Sequence, residues 1–245
     1  MPKLRDVANI LTTKLFPDGT LPWRKTRKPT RSFSEFFHWL TSDMNYSPEI
    51  CIDVGAAMGT PELYGAFKNA KHYAFEPIET FAPMLKKRLA NYDHELFMMA
   101  VMDKPGNRII ALTENECGST LMARKKDRRK AKEIAVSTLD IEIGDRVKGK
   151  QTLLKTDCQG GDLAAIKGGE NVIQHCDVII METSFYRYWG NHHPDFYDIV
   201  HYMKTKGFVV IDMLDGIFKP SNSALGQIDL VFAKENGVLR PHHRW

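Results

Sequence analysis

Between residues 33 and 40, Phe33, Phe36, Phe37 and Leu40 fall at i, i+3, i+4 and i+7, the spacing of a helix with one apolar stripe. From residue 50 the pattern changes to short apolar runs that alternate with amphipathic ones. The run Glu49 to Val54 ends in glycines, and Thr60, Pro61 and Glu62 then offer a helix N-cap, a proline at the first helical position and an early carboxylate. That is a strand, a turn and a helix. A second strand is expected over His72 to Phe75, followed by a helix from about Glu79 to Asn91 on which Phe81, Leu85 and Leu89 recur every four residues. Glu95 to Met102 reads as a third strand, and Asp103 to Asn107 as a turn into the extended run Arg108 to Leu112. Further strands are expected at Ile134 to Thr138, Thr152 to Thr156, Asp177 to Met181, Phe208 to Met213 and Ile228 to Ala233. Helices are expected at Asp162 to His175 and at about Pro194 to Lys206. Strands alternating with helices predict an α/β fold, a mainly parallel sheet covered on both faces.

Residues 1–47 stand apart from this alternation. Lys14, Arg24, Lys25, Arg27, Lys28 and Arg31 are interleaved with Pro17, Pro22 and Pro29 ahead of the aromatic stripe. The segment predicts a basic, irregular arm and a short helix, an N-terminal extension to one catalytic domain over residues 48–245. Its stripe is expected to pack on that domain, or on a second copy of the chain to form a homodimer, in preference to binding substrate. A second basic run, Arg124 to Lys132, reads first as a solvated loop and second as an attractor of an anionic acceptor.

Composition narrows the class. A chain of 245 residues can bury one substantial core without a second domain. With 26% charged residues and a formal net charge of +4, it reads as a soluble globular protein, with no indication of nucleic-acid binding. No apolar run approaches the roughly 20 residues of a membrane-crossing helix, and Met1 to Leu15 lacks a signal-peptide core, so a cytoplasmic location is expected. Cys51, Cys117, Cys158 and Cys176 form no C-x-x-C pair and no zinc-ligand spacing; Cys51 and Cys176 sit in apolar runs and read as small buried hydrophobes.

In an open α/β sheet, ligands bind beyond the carboxyl ends of the strands. The first strand ends Asp53-Val54-Gly55-Ala56-Ala57-Met58-Gly59, where Gly55, Ala57 and Gly59 allow a backbone turn to approach a ligand closely. Dinucleotide enzymes also carry such a turn, but the full G-x-G-x-x-G fingerprint is absent and the charge of Asp53 would oppose a pyrophosphate. A cationic ligand suits it better, and S-adenosylmethionine carries a sulfonium and an amino group. Glu76 ends the second strand, about 20 residues beyond the turn, where a carboxylate commonly accepts hydrogen bonds from both ribose hydroxyls. Val101, in the third expected strand, is expected to line the same cofactor pocket.

Several stretches carry a family resemblance. Asp53-Val54-Gly55-Ala56, Phe75-Glu76-Pro77, Ser137-Thr138-Leu139-Asp140, Leu154 to Asp162, Ile166-Lys167-Gly168-Gly169 and Gln227 to Phe232 resemble, in order, the landmarks of the FkbM-type methyltransferases, over about residues 50 to 234. The block Leu154 to Gly169 is the most specific of them. The chain departs from the family at Ala57, where asparagine is usual, and at Asp162, where glutamate is usual; Gln159 follows a minority pattern. The resemblance implies a Rossmann-like class I methyltransferase fold, S-adenosylmethionine as donor, S-adenosylhomocysteine as product, and O-methylation of a small acceptor such as a saccharide or glycosylated compound; the residues themselves indicate no requirement for a metal.

Methyl transfer is an in-line displacement, so the protein must align the acceptor and manage one proton. Asp157, at the end of the fourth strand of this topology, is the first candidate to hold or deprotonate an acceptor hydroxyl; capping the next helix is its structural use. Lys155 points to the same face and could pair with a carboxylate. Glu182 ends the fifth strand, and the loop after it crowds Tyr186, Tyr188, Trp189, His192 and His193, aromatic faces suited to sugar rings and histidines suited to proton transfer. His192, His193 and Asp195 together with Asp157 or Glu182 are also a candidate divalent-metal set. A nicotinamide-dependent oxidoreductase and a non-catalytic binding module are the competing readings.

Overall fold

Ser32 and Glu35 open the first described helix reciprocally: Ser32 Oγ accepts the Glu35 amide at 3.3 Å, and the Glu35 carboxylate accepts the Ser32 amide at 2.8 Å. This capping box starts α1 (Phe33–Ser42), which buries Phe36, Phe37 and Leu40. The structure is a computed structural model that describes residues 30–114, 116–123 and 130–243. The expected arm before residue 30 and the basic positions 124–129 lie outside the described residues.

The strands are β1 (Ile50–Val54), β2 (Lys71–Phe75), β3 (His94–Phe97), β4 (Ala100–Val101), β5 (Gly106–Ala111), β6 (Ala131–Ser137), β7 (Thr152–Thr156), β8 (Cys176–Ser184), β9 (Phe208–Phe218) and β10 (Leu225–Lys234). The further helices are α2 (Pro61–Ala66), α3 (Ala82–Leu89), α4 (Leu139–Ile143), α5 (Asp162–Lys167), α6 (Glu170–Gln174) and α7 (Phe196–Thr205). A seven-stranded sheet runs in the order β3-β2-β1-β7-β8-β10-β9, parallel except for β10, which is antiparallel to both neighbours. This is the expected α/β fold with a mainly parallel sheet.

Strand alternation sends Ile50, Ile52 and Val54 to one face, where they meet Leu139, Leu163, Ile166, Ile173 and Ile199 from the helices α4 to α7. Cys51 faces the other side with Phe36, Leu63, Tyr64 and Leu85 of α1 to α3. The stripe of α1 is therefore buried in this chain's own core, with Phe37 edge-on to Phe67 at 5.7 Å. Among the described residues, no helix is long and apolar enough to cross a membrane.

Four local expectations change. Glu95 to Met102 is two strands: β3 closes the edge of the main sheet, while β4 joins β6 and β5 in a separate three-stranded sheet. Asp162 to His175 is two helices, because the chain presses its glycines against neighbours: a Cβ on Gly168 would lie 2.0 Å from the Met102 carbonyl oxygen. Helix α4 was not anticipated, although Thr138 caps it by accepting the Ile141 amide at 3.2 Å. The last two strands extend well past the predicted Phe208 to Met213 and Ile228 to Ala233 into a long hairpin.

Sheet order reverses between β1 and β7, so their carboxyl ends flank a crevice. That crevice positions the site.

Candidate functional site

Leaving β1, the chain turns at Gly55 (φ +74°), whose amide and that of Ala56 donate to the Phe75 carbonyl at 3.0 and 3.1 Å. A Cβ at Gly55 would stand 2.0 Å from the Asp157 carbonyl oxygen, so only glycine permits this turn to lie against the end of β7. Ala57 follows in the left-handed region (φ +46°) and donates its amide to Glu76 Oε2 at 2.7 Å. The Ile78 amide donates to Glu76 Oε1, also at 2.7 Å. Each Glu76 oxygen thus holds one backbone N–H and keeps acceptor capacity. Burial pushes the Glu76 carboxyl up to about 7, against the lowering effect of those two amides.

A partly open, mainly apolar cavity lies beyond these strand ends. Of the sequence-predicted residues, Gly55, Ala57, Glu76, Val101 and Asp157 line it. Apolar walls come from Phe75, Ile78, Met99 and Leu121, and Gln159 stands beside Asp157.

Asp53, Gly59, Lys155, Glu182, His192 and His193 do not line this cavity. The alternation that turns Val54 toward it turns Asp53 away, where Asp53 is 1% exposed. There Asp53 Oδ2 accepts the Tyr64 hydroxyl at 2.5 Å and Oδ1 lies 3.6 Å from Lys155 Nζ. The expected open carboxylate for a cationic donor is instead a buried, partnered one. Gly59 (φ +94°) packs beneath the turn, where a Cβ would meet Tyr64 and Leu85 at 3.0 and 3.1 Å.

Lys155 is 5% exposed and lies 3.6 Å from both Asp53 Oδ1 and Asp157 Oδ2. Burial works to discharge it, but Asp53, Asp157 and Asp229 outweigh burial and hold the ammonium above the ordinary lysine range. It is a buried counter-ion and does not face the cavity. Asp157 is half-buried; its Oδ1 accepts Gln159 Nε2 at 3.0 Å, and the same nitrogen lies 3.3 Å from Glu182 Oε1. Burial, then Asp157, Asp162 and Asp229, push Glu182 well above the usual carboxylate range.

His193 is 2% exposed and packs on Gly160, where a Cβ would come 2.6 Å from its Nε2. Burial, then His192 and Arg187, lower its pKa and favour the neutral ring. His192 is exposed, with Nε2 3.0 Å from the Met122 carbonyl oxygen. Asp195, the third member of the suggested metal set, caps α7 and pairs with Arg187 at 3.1 Å. Among the described residues no group of three or more histidines, cysteines, aspartates or glutamates is arranged to hold a metal ion.

Sequence reasoning missed the outer wall. Glu116, Cys117, Ser119 and Leu121 line the cavity from a segment between β5 and β6, tied down where Thr120 Oγ1 donates to the Gln159 carbonyl at 2.7 Å and Thr80 bonds Glu116. No local pattern announces this, because the contacts cross about 40 residues of chain. Cys158 also lines the cavity, while Cys51 and Cys176 are buried as the apolar runs implied.

Solved structures similar to this chain include magnesium protoporphyrin IX methyltransferase from Synechocystis PCC 6803 with bound SAM (12% identity, TM-score 0.45, covering 83% of this chain and 78% of that one). Another is 1,6-didemethyltoxoflavin-N1-methyltransferase from Burkholderia thailandensis (13% identity, TM-score 0.44, covering 96% and 91%). A third is precorrin-6y C5,15-methyltransferase from Geobacter metallireducens GS-15 (11% identity, TM-score 0.43, covering 82% and 88%). Likenesses of this degree say nothing of the acceptor. Among curated proteins no relative matches the chain. The family model of the methyltransferase FkbM domain matches residues 53–210, more than half the chain, and spans the glycine turn, Glu76, Asp157 and Glu182. The chain belongs to the FkbM family of S-adenosylmethionine-dependent methyltransferases.

Proposed function

We propose that this methyltransferase methylates a hydroxyl oxygen of a sugar or a glycosylated small molecule, and that Asp157 receives the hydroxyl proton. The observation that carries the reading is that the Gly55–Ala57 turn, Glu76 and Asp157 bound one and the same cavity. Family membership sets aside the oxidoreductase and the non-catalytic module.

The residues present fit the donor. Gly55 lets the turn close onto the end of β7 and hold the Ala57 amide against Glu76, and each Glu76 oxygen retains a lone pair for one hydroxyl of a ribose diol. Val101, Met99 and Ile78 offer an apolar wall for the adenine ring. When bound, the donor supplies an electrophilic methyl on sulfur, transferred with cleavage of the C–S bond, whose electron pair stays on the sulfur. Asp53 stays buried beneath the turn, where the Tyr64 hydroxyl and Lys155 offset its charge. Asp157 accepts the acceptor O–H and takes its proton as the new C–O bond forms.

A saccharide is favoured by the aromatic loop after β8, which packs through Trp189 and His193 on Gly160 beside the cavity wall. Tyr186 and Tyr188 are exposed there with ring centroids 5.8 Å apart, and Lys219 sits 4.0 Å over the Tyr186 ring. Such faces suit the C–H surfaces of sugars. His192 and His193 lie on the same loop, but burial disfavours the charged ring at His193, so the proton acceptor proposed is Asp157. The test is a mass-spectrometric screen with methyl-deuterated donor over sugars, glycosides, amines and RNA. Methylation of amines or RNA alone would overturn the acceptor assignment. On a responding acceptor, Asp157→Asn lowers turnover about 100- to 10,000-fold and leaves S-adenosylhomocysteine affinity within a few-fold.

A further inference from the structure

Both oxygens of Asp157 are assigned: Oδ2 to Lys155 Nζ at 3.6 Å, Oδ1 to Gln159 Nε2 at 3.0 Å. The same Gln159 nitrogen reaches Glu182 Oε1 at 3.3 Å, so one amide with two hydrogens spans carboxyl groups at the ends of adjacent strands β7 and β8. The backbone around it is held in an uncommon conformation. Gln159 has φ +49° and Gly160 φ +92°; Asp162 accepts the amides of Cys158 at 3.0 Å and Gly160 at 3.3 Å; Thr120 grips the Gln159 carbonyl. A glutamine in the left-handed region persists only where surrounding contacts over-determine it. Here they aim a side chain of the cavity wall at the carboxylate assigned to the acceptor.

The charges nearby explain why an amide stands there. Lys155 from β7, Asp157 just after it, Asp162 from α5 and Asp229 from β10 face Glu182, and Asp229 is its direct cross-strand partner. One ammonium, Lys155, thus stands among Asp53, Asp157 and Asp229, while Asp162 adds its charge to those facing Glu182. A donor placed between Asp157 and Glu182 offsets their repulsion, whereas another acceptor would add to it.

We propose that Gln159 is a positioning residue, whose amide ties Asp157 to Glu182 and so fixes the direction in which Asp157 meets the acceptor. The role in catalysis rests on the methyltransferase reading above; the bridge itself does not. Lys155 holds the other oxygen, so the carboxylate is oriented from both sides.

Thermal unfolding of the full-length wild type, Gln159→Glu and Gln159→Met, followed from pH 5 to pH 9, tests the bridge. Gln159→Glu loses more stability the higher the pH, its deficit in Tm growing by about 5 °C between pH 5.5 and 8.5. Gln159→Met shows a smaller growth of the same sign, and adding Asp157→Asn to Gln159→Glu removes at least half of it. Deficits that stay parallel across pH, or that Asp157→Asn leaves untouched, overturn the bridge, since a side chain that only fills space has no reason to follow pH. Calorimetric titration of the same wild type with S-adenosylhomocysteine separates the two ideas: no binding there counts against the donor site, while the unfolding curves still decide the bridge.

Discussion

Gly55→Ala is the sharpest perturbation the geometry offers. An L-residue at φ +74° costs about 1–2 kcal/mol relative to glycine. The added Cβ would also stand 2.0 Å from a backbone oxygen, that of Asp157, which no rotamer change can relieve. The turn and the end of β7 must separate by more than 1 Å, roughly the shortfall from ordinary contact, which loosens the 2.9 Å bond from the Asp157 amide to the Val54 carbonyl, worth about 1 kcal/mol. The sum is about 3 kcal/mol, or a Tm lowered by about 6–12 °C for a chain of this size. S-adenosylhomocysteine affinity should fall about 100-fold, because the turn both cradles the ligand and braces Glu76 through the Ala57 amide. Gly149→Ala is the control: its φ is +72°, yet nothing lies within 4 Å of its Cβ, so it bears the conformational cost alone. Differential scanning calorimetry and isothermal titration read both variants. If Gly55→Ala matched Gly149→Ala in stability and kept wild-type affinity, the close approach of the turn to β7 would be refuted.

Ala57→Gly should raise Tm by about 2 °C, since it relieves a left-handed alanine while keeping the amide that Glu76 accepts; a lower Tm would show that the alanine methyl matters more than φ. Glu76→Gln should weaken S-adenosylhomocysteine binding about 10- to 100-fold, by turning one acceptor oxygen into a donor that faces a backbone N–H; unchanged affinity by titration would remove Glu76 from the donor site. Stability should fall as pH rises: burial lifts Glu76 and Asp229 to about 7, above their unfolded values, so the folded state holds more protons and loses its advantage between about pH 4 and 7. Each group contributes on the order of 3–4 kcal/mol at most. A Tm that rose from pH 5 to pH 8 in the ligand-free protein would contradict this.

Much of the architecture was legible as period and punctuation. The apolar run at β1, Thr152 to Thr156 at β7, and the stripe of α1 were readable because burial on a sheet or helix face repeats locally. Glu76 and Asp157 were readable because strand ends are where such folds bind ligands. The split of Glu95 to Met102 was not, since both halves are apolar and only their partners differ: β2 for one, β6 for the other.

The amino-acid sequence by itself determined the alternation of strands and helices, the glycine turn and the order of acidic strand ends, since each depends on neighbours along the chain. Only the tertiary structure decided which acids face the cavity. Asp53 and Asp157 both end strands, yet pleat and pairing turn the first onto Tyr64 and Lys155 and leave the second at the cavity wall. The same holds for Gln159, whose significance arises from a β8 carboxyl 23 residues away and from Thr120, 39 residues away, groups that only sheet order brings together. Charge and hydrogen bonding act through space, and distance along the chain does not record them.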